Sequence, residues 1–311
     1  MDTVLNAALP IFSLILIGYV FAKRRVMGRA ATDSLNKFVV FLALPALLFQ
    51  GMAAVTWKEM DHPGFLVSFG SGMAACFVLD YALARWQRQR LADAGIEALA
   101  ACYGNTGYMG IPLCLATFGP ASLPAVVIAT LLTTCVPFGV AIAMIEIDVR
   151  PGANLGRTLW LVGRSLAGNP LLVAPILGLL VAAAGIPLPA PILHLTTLLG
   201  GAASPCALVT IGLFLAQQRP ANRLGPVGRI VGIKLLLQPA ITGALALLVF
   251  DMPVLWSHTA LLLSALPIGT GPFMVAALYR RDGAVTSQAM LFSTVLSVVT
   301  ISLLIAWFEP A

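Results

Sequence analysis

The chain has 311 residues, of which 59% are hydrophobic and only 10% charged, with a mean hydropathy of +0.96. Soluble domains carry roughly 25% charged residues, so this composition describes an integral membrane protein with little water-soluble mass. The net charge of +6 comes from basic residues spread singly over short connections, which speaks against a nucleic-acid partner. The five cysteines all fall in apolar runs without a CxxC pair, which speaks against a disulfide framework or a metal site.

Apolar runs follow one another along the chain, at about 5–22, 35–53, 65–84, 98–118 and 123–145, then 170–186, 192–216, 227–250, 255–279 and 285–308. Each approaches the ~20 residues that a spanning helix needs. The first follows Met1-Asp2 with no basic stretch before it, so it reads as a retained helix and not a cleaved signal. Pro45 in the second run and Ser204-Pro205 in the seventh read as kinks.

The fourth run carries Asn105-Thr106-Gly107-Tyr108-Met109-Gly110-Ile111-Pro112 at its centre, and the ninth carries Pro267-Ile268-Gly269-Thr270-Gly271-Pro272. Two glycines and a proline do not suit a continuous helix. The first is expected to break over 106–111 and restart at Pro112, where a missing N–H matters least. In lipid, open backbone survives only where it is buried or lines a polar cavity, and paired broken helices point to a transporter's substrate site.

The loops vote on topology. Of the 18 basic residues, all but Lys58 and Lys234 fall in or beside the connections after the first, third, fifth, seventh and ninth runs. The positive-inside rule then puts those loops in the cytoplasm and both termini outside. Ten helices divide as five plus five. Five is odd, so the second half enters from the opposite side as an inverted repeat. Pro10/Pro170, Pro45/Pro205 and Pro112/Pro272 share one offset of 160 positions. The domains expected are a first repeat at 1–145, a cytoplasmic linker at 146–169 and a second repeat at 170–311.

Two half-helix N-termini meeting at mid-membrane make an anion site from backbone N–H groups. Asn105, Thr106, Thr270 and the glycines Gly107, Gly269 and Gly271 would surround a carboxylate between Pro112 and Pro272, with Tyr108 flanking an apolar part of it. The plainer alternative is that small residues here only let helices pack closely. Asp80 and Lys234 lie in the third and eighth helices, each five positions from an arginine at the cytoplasmic end (Arg85 and Arg229), hence about 7 Å inside that boundary. An ion pair between them is expected, with Gln238 one turn deeper on the face of Lys234. His62, His194 and His258 show neither ligand nor triad spacing.

With NTGYMGIP, ALPIGTGP, the lysine of the eighth helix and the 5 + 5 order on the page, the chain resembles the auxin efflux carrier family over its whole length. Bacterial members of that family include malonate- and malate-type carriers. The resemblance implies a bile-acid-symporter-like fold in which helices four and nine cross at their breaks. It also implies elevator-type movement and organic-anion substrates, with Asn105, Pro112, Gly269, Thr270 and Pro272 at the crossing and Asp80 and Lys234 as polar support. The long cytoplasmic loop of plant members is missing here.

The expected function is a secondary transporter of small organic anions (malonate, malate or auxin-like acids) in a bacterial inner membrane. An organic-anion channel or a membrane solute sensor is the alternative. No enzyme activity, cofactor, metal or nucleic-acid partner is expected, and the surroundings are membrane lipid. Coupling to Na+ or H+ stays open, because helix-break carbonyls hold a cation without a side-chain trace. Assembly as a homodimer stays open too.

Overall fold

The computed structural model describes residues 2–55, 61–149, 163–164, 167–217 and 223–308 with Gly156 and Trp160, and side chains from Ala8 onward. Most of the expected linker 146–169 lies outside the described residues, as do Lys58, Arg150, Arg157, Arg219 and Ala311. In order come α1 (Asp2–Lys23), α2 (Arg29–Ala53), α3 (Pro63–Trp86), the two pieces α4a (Leu91–Cys102) and α4b (Thr106–Phe118), and α5 (Pro120–Val149). Then follow α6 (Pro170–Ala183), α7 (Ala190–Ala216), α8 (Leu224–Val249), the pieces α9a (Val254–Ser264) and α9b (Gly271–Leu278), and α10 (Ala284–Phe308). By length and composition α2, α3, α5, α7, α8 and α10 suffice to cross a membrane, and Ala8–Lys23, Thr106–Phe118, Pro170–Ala183 and Val254–Ser264 are shorter apolar helices. Leu16, Leu79, Leu198, Leu248 and Leu303 are exposed, an apolar surface suited to lipid and not to water.

The helices sort into two bundles. α1 packs along α7 and α6 along α2, with α7 also against α2. The other bundle joins α3 to α4a, α4a to α5, and α8 to α3, α9a and α10. Each bundle thus draws helices from both halves of the chain. Two cavities lie on the seam between the bundles. One, about 990 Å³, sits between α2 and α7 on one side and α4b, the start of α5 and α9a on the other, with Gln50, His62, Thr197 and Ser204 in its wall. The second, about 470 Å³, lies between the N-terminal end of α2, the C-terminal end of α7 and the α9b–α10 corner, and its wall carries Arg29, Asp33 and Arg281.

Prolines shape the helices through one repeated device. Within α2, α4b and α8, three five-residue π-turns, Val39–Ala43, Thr106–Gly110 and Ile233–Leu237, each end two residues before a proline (Pro45, Pro112 and Pro239), while a fourth, Leu245–Val249 at the end of α8, has no proline in that place. The residue just ahead of the proline donates to the carbonyl five back, as Leu44 to Val39, Ile111 to Thr106 and Gln238 to Ile233. Widening the turn moves the carbonyl that the ring would strike and absorbs the missing N–H. Pro205, by contrast, lies within the uninterrupted α-helix α7.

Three ends share a cap. Arg25, Arg88 and Arg280 take left-handed backbone (φ 58, 59 and 51) just past α1, α3 and α9b. In each case the next N–H bonds five residues back: Val26 to Phe21, Gln89 to Ala84, and Arg281 to Ala276. Glycine usually fills this position, as Gly185 (φ 63) does after α6. An arginine there accepts about 1–2 kcal/mol of steric strain and sets its charge at the negative end of the helix.

Candidate functional site

The first break lies slightly upstream of the expected place. α4a ends at Cys102, residues 103–105 are unwound, and the helix resumes at Thr106 as the π-turn that leads into Ile111–Phe118. Pro112 therefore stands inside α4b and is not its first residue, because the π-turn removes the clash that would have forced a restart there. The second break, Ala265 to Thr270, falls where the sequence placed it, and Pro272 is the second residue of α9b.

The two unwound segments cross and hydrogen-bond to each other. Gly104 and Ile268 form an antiparallel bridge. Asn105 N–H donates to the Pro267 carbonyl at 2.9 Å, and Gly269 N–H donates to the Tyr103 carbonyl at 3.0 Å. Ile268 N–H is taken by Ser293 Oγ of α10 at 3.0 Å. Backbone groups orphaned by each break are thus satisfied by the other break.

The crossing has a positive and a negative side. α4b and α9b begin there, so their first-turn N–H groups lack partners within the helix, while α4a and α9a end there with unpaired carbonyls. Lys234 serves the negative side. It is wholly buried, lies beside Gly104, and its Nζ donates to the Ser264 carbonyl at the end of α9a at 2.7 Å. Asn105 stands on the positive side, 6% exposed, and its side-chain amide has no hydrogen-bond partner among the described residues. Thr106 is buried beside it, and Thr270 is the cap residue of α9b without a side-chain cap bond.

The glycines divide by role. A Cβ on Gly269 would stand 3.0 Å from Tyr103 Cδ1, and one on Gly271 would stand 2.6 Å from Tyr103 Cζ, so both are small to admit that ring. Gly107 is different: it is buried, yet a Cβ there would meet nothing within 4 Å. Tyr108, expected to flank an apolar part of the substrate, is 8% exposed. Its hydroxyl donates to Asn36 Oδ1 of α2 at 2.6 Å, a bond across the seam between the bundles.

The expected Asp80–Lys234 pair is not made. Asp80, wholly buried on α3, takes Arg229 Nε at 2.8 Å and Nη2 at 3.4 Å, and the same Nη2 also reaches Glu97 Oε2 of α4a at 2.6 Å. α3 and α8 run antiparallel, which sets Asp80 level with Arg229, while Lys234 lies more than a turn deeper and turns toward the crossing. Gln238 is wholly buried, and neither end of its amide has a partner among the described residues. Sequence reasoning missed Tyr103, Asn36, Glu97 and Arg229, the last because it counted only as a loop charge. Glu97, an acid one position ahead of the apolar run 98–118, was the available signal.

A family model described as membrane transport protein matches residues 3–150 and 155–305. The chain is 30% identical over 304 residues to the "Putative malonate transporter" of Rhizobium meliloti (strain 1021), covering 97% of this chain and 95% of that one. It is 24% identical over 308 residues to an uncharacterized transporter of Methanothermobacter thermautotrophicus, with 96% of each chain covered. A shorter likeness, 31% over 111 residues, links 34% of the chain to 13% of the lysosomal cholesterol signaling protein of Mus musculus. With apolar helices throughout and two broken helices crossing at its centre, this multi-pass membrane protein belongs to the membrane transport protein family.

Proposed function

We propose that the chain is a secondary carrier of small organic anions, malonate-type dicarboxylates among them, in a bacterial inner membrane. The observation that carries this reading is the crossing: two helix N-termini and the unpartnered, buried Asn105 amide converge where the backbone itself offers an anion its hydrogen bonds. The name of the Rhizobium relative supports the substrate class. In this reading Asn105, Thr106, Gly107, Thr270 and the first turns of α4b and α9b hold the carboxylate, while Pro112, Pro272, Gly269 and Gly271 shape the backbone around it. Tyr108 belongs to the seam, and Lys234, Asp80 and Gln238 support the crossing from the other side.

The transport movement is a slide of the bundle containing α3–α5 and α8–α10 against the bundle of α1, α2, α6 and α7. The two cavities at opposite ends of one seam support it, since each gives the moving bundle room on one face. The same reading keeps ten spans in two inverted five-helix repeats, with the basic loops cytoplasmic and both termini outside.

Counterflow in proteoliposomes with a panel of mono- and dicarboxylates, with and without sodium, tests the reading. Malonate should exchange, and Asn105→Ala should weaken its binding by about 1–3 kcal/mol, because a hydrogen bond is lost in a low-dielectric site. Unchanged affinity in the folded variant would return the crossing to a packing role. A membrane solute sensor is the second reading, favoured by the partial likeness to the lysosomal signaling protein. Malonate binding without any counterflow would select it.

A further inference from the structure

The triad of Asp80, Arg229 and Glu97 joins α3, α8 and α4a with two carboxylates on one guanidinium. Asp80 is 0% exposed, and the side chains of Glu97 and Arg229 are 9% and 13% exposed. Because Arg229 Nη2 touches an oxygen of each acid, those two oxygens lie within about 6 Å of one another. Fully ionised, the group holds two negative charges against one positive charge out of water. Two carboxylates this close with one counter-charge repel each other, and a proton placed between them removes that repulsion.

A second observation points to the missing particle. Gln89, on the loop between α3 and α4a, directs Nε2 at both oxygens of Glu97 (3.2 and 3.1 Å), while its own Oε1 is buried without a donor. Turned over, the same amide offers that oxygen to a protonated Glu97, and the two orientations differ only in which end is called nitrogen. Gln89 is therefore built to meet Glu97 in either form. Arg229 Nη1, also buried, has no partner among the described residues, so the guanidinium gains nothing further to hold both acids charged.

Neighbouring charges do not supply the balance. On α4a, Asp93 is held by Arg281 (Nε to Oδ1 at 2.8 Å). On α5, Asp148 pairs with Arg90 at 3.3 Å, and Glu146 accepts from Tyr279. Arg85 donates to the Gln89 backbone carbonyl, Lys234 of α8 to the Ser264 carbonyl, and Cys76 Sγ to the Ile233 carbonyl. Cys102 Sγ donates to the Leu99 carbonyl, and α10 brings no charged side chain.

We infer that the triad, with Gln89, is a proton-binding site opening toward the basic-loop face. Binding a proton there cancels the excess negative charge and releases one arm of Arg229 from α4a, the half-helix that ends at the crossing. The proton site stands on its own geometry, and only its effect on flux rests on the carrier reading above.

Infrared difference titration of the purified protein tests it without any substrate. In the wild type, the carbonyl stretch of a protonated carboxylic acid should grow as pH falls through the neutral range and vanish as pH rises. In Glu97→Gln and in Asp80→Asn, each of which leaves one acid for one arginine, the band should be lost from that range. A wild type without such a band, or a band kept in both variants, overturns the proposal. Malonate counterflow, with pH varied on the basic-loop side, should then depend on pH in the wild type and be flat in Glu97→Gln. Malonate flux that depends on pH equally in both proteins also overturns it. An absence of malonate flux in the wild type removes the carrier reading and leaves the proton site to the infrared result.

Discussion

Replacing Gly271 by alanine puts a methyl group where Tyr103 already stands, 2.6, 2.8 and 3.0 Å from three atoms of its ring. The ring has little freedom to retreat. Phe138 lies against it with centroids 6.4 Å apart, and its own backbone carbonyl is tied to Gly269 N–H at 3.0 Å. Overpacking of this kind destabilises by about 1–3 kcal/mol. Gly107→Ala is the internal control, since its Cβ meets nothing within 4 Å and the residue sits in helical backbone. There the change should stabilise by about 0.4–1 kcal/mol, through reduced freedom of the unfolded chain. The two substitutions, chemically the same and both in the broken-helix motifs, should move stability in opposite directions. Parallel unfolding of the purified proteins by tryptophan fluorescence measures both. Equal stability for the two variants would refute the claim that Tyr103 dictates glycine at 271. If Gly107→Ala also leaves stability intact but weakens malonate binding, the open space beside Asn105 is where the substrate sits.

Tyr108→Phe removes a 2.6 Å hydrogen bond to Asn36 across the seam. It should lower stability by about 1 kcal/mol and quicken counterflow, because a bond that has to break for the bundles to slide is gone. Unchanged stability with weakened malonate binding would instead mean that the hydroxyl faces substrate. Reporter fusions after Arg150 and at Ala311 should report opposite sides of the membrane, as the basic loops require. The same side at both points would end the five-plus-five arrangement.

The existence and order of the helices were legible because apolar length is a strong signal in a membrane protein, and both breaks were legible because glycine and proline cannot hide in lipid. The first break was misplaced by a few residues, since proline in a sequence looks like a helix start, whereas a π-turn at 106–110 lets Pro112 sit inside the helix. That device depends on one extra residue per turn, and nothing in the local composition announces it. Asp80 was recognised as a buried charge but given the wrong partner. Counting five positions from each cytoplasmic-end arginine set Asp80 and Lys234 at one depth, whereas Asp80 lies level with Arg229 and Lys234 more than a turn deeper, which depends on how α3 and α8 face each other. The role of Gly269 and Gly271 was invisible for a similar reason: the ring they admit belongs to Tyr103, in the other half of the chain.

The mutual bonding of the two breaks also bears on how such a chain is made. The first half enters the membrane before the second is synthesised, and until residues 265–270 arrive the Tyr103 carbonyl and the Asn105 N–H have no partner. Each unsatisfied backbone group in hydrocarbon costs several kcal/mol. α4 therefore cannot settle at full depth early. It must wait, shallow or wet, for a segment more than half the chain away, which makes this contact one of the last to form. A ribosome that stalls before α9 leaves a product that shows polar backbone to lipid, a mark on which membrane quality control can act.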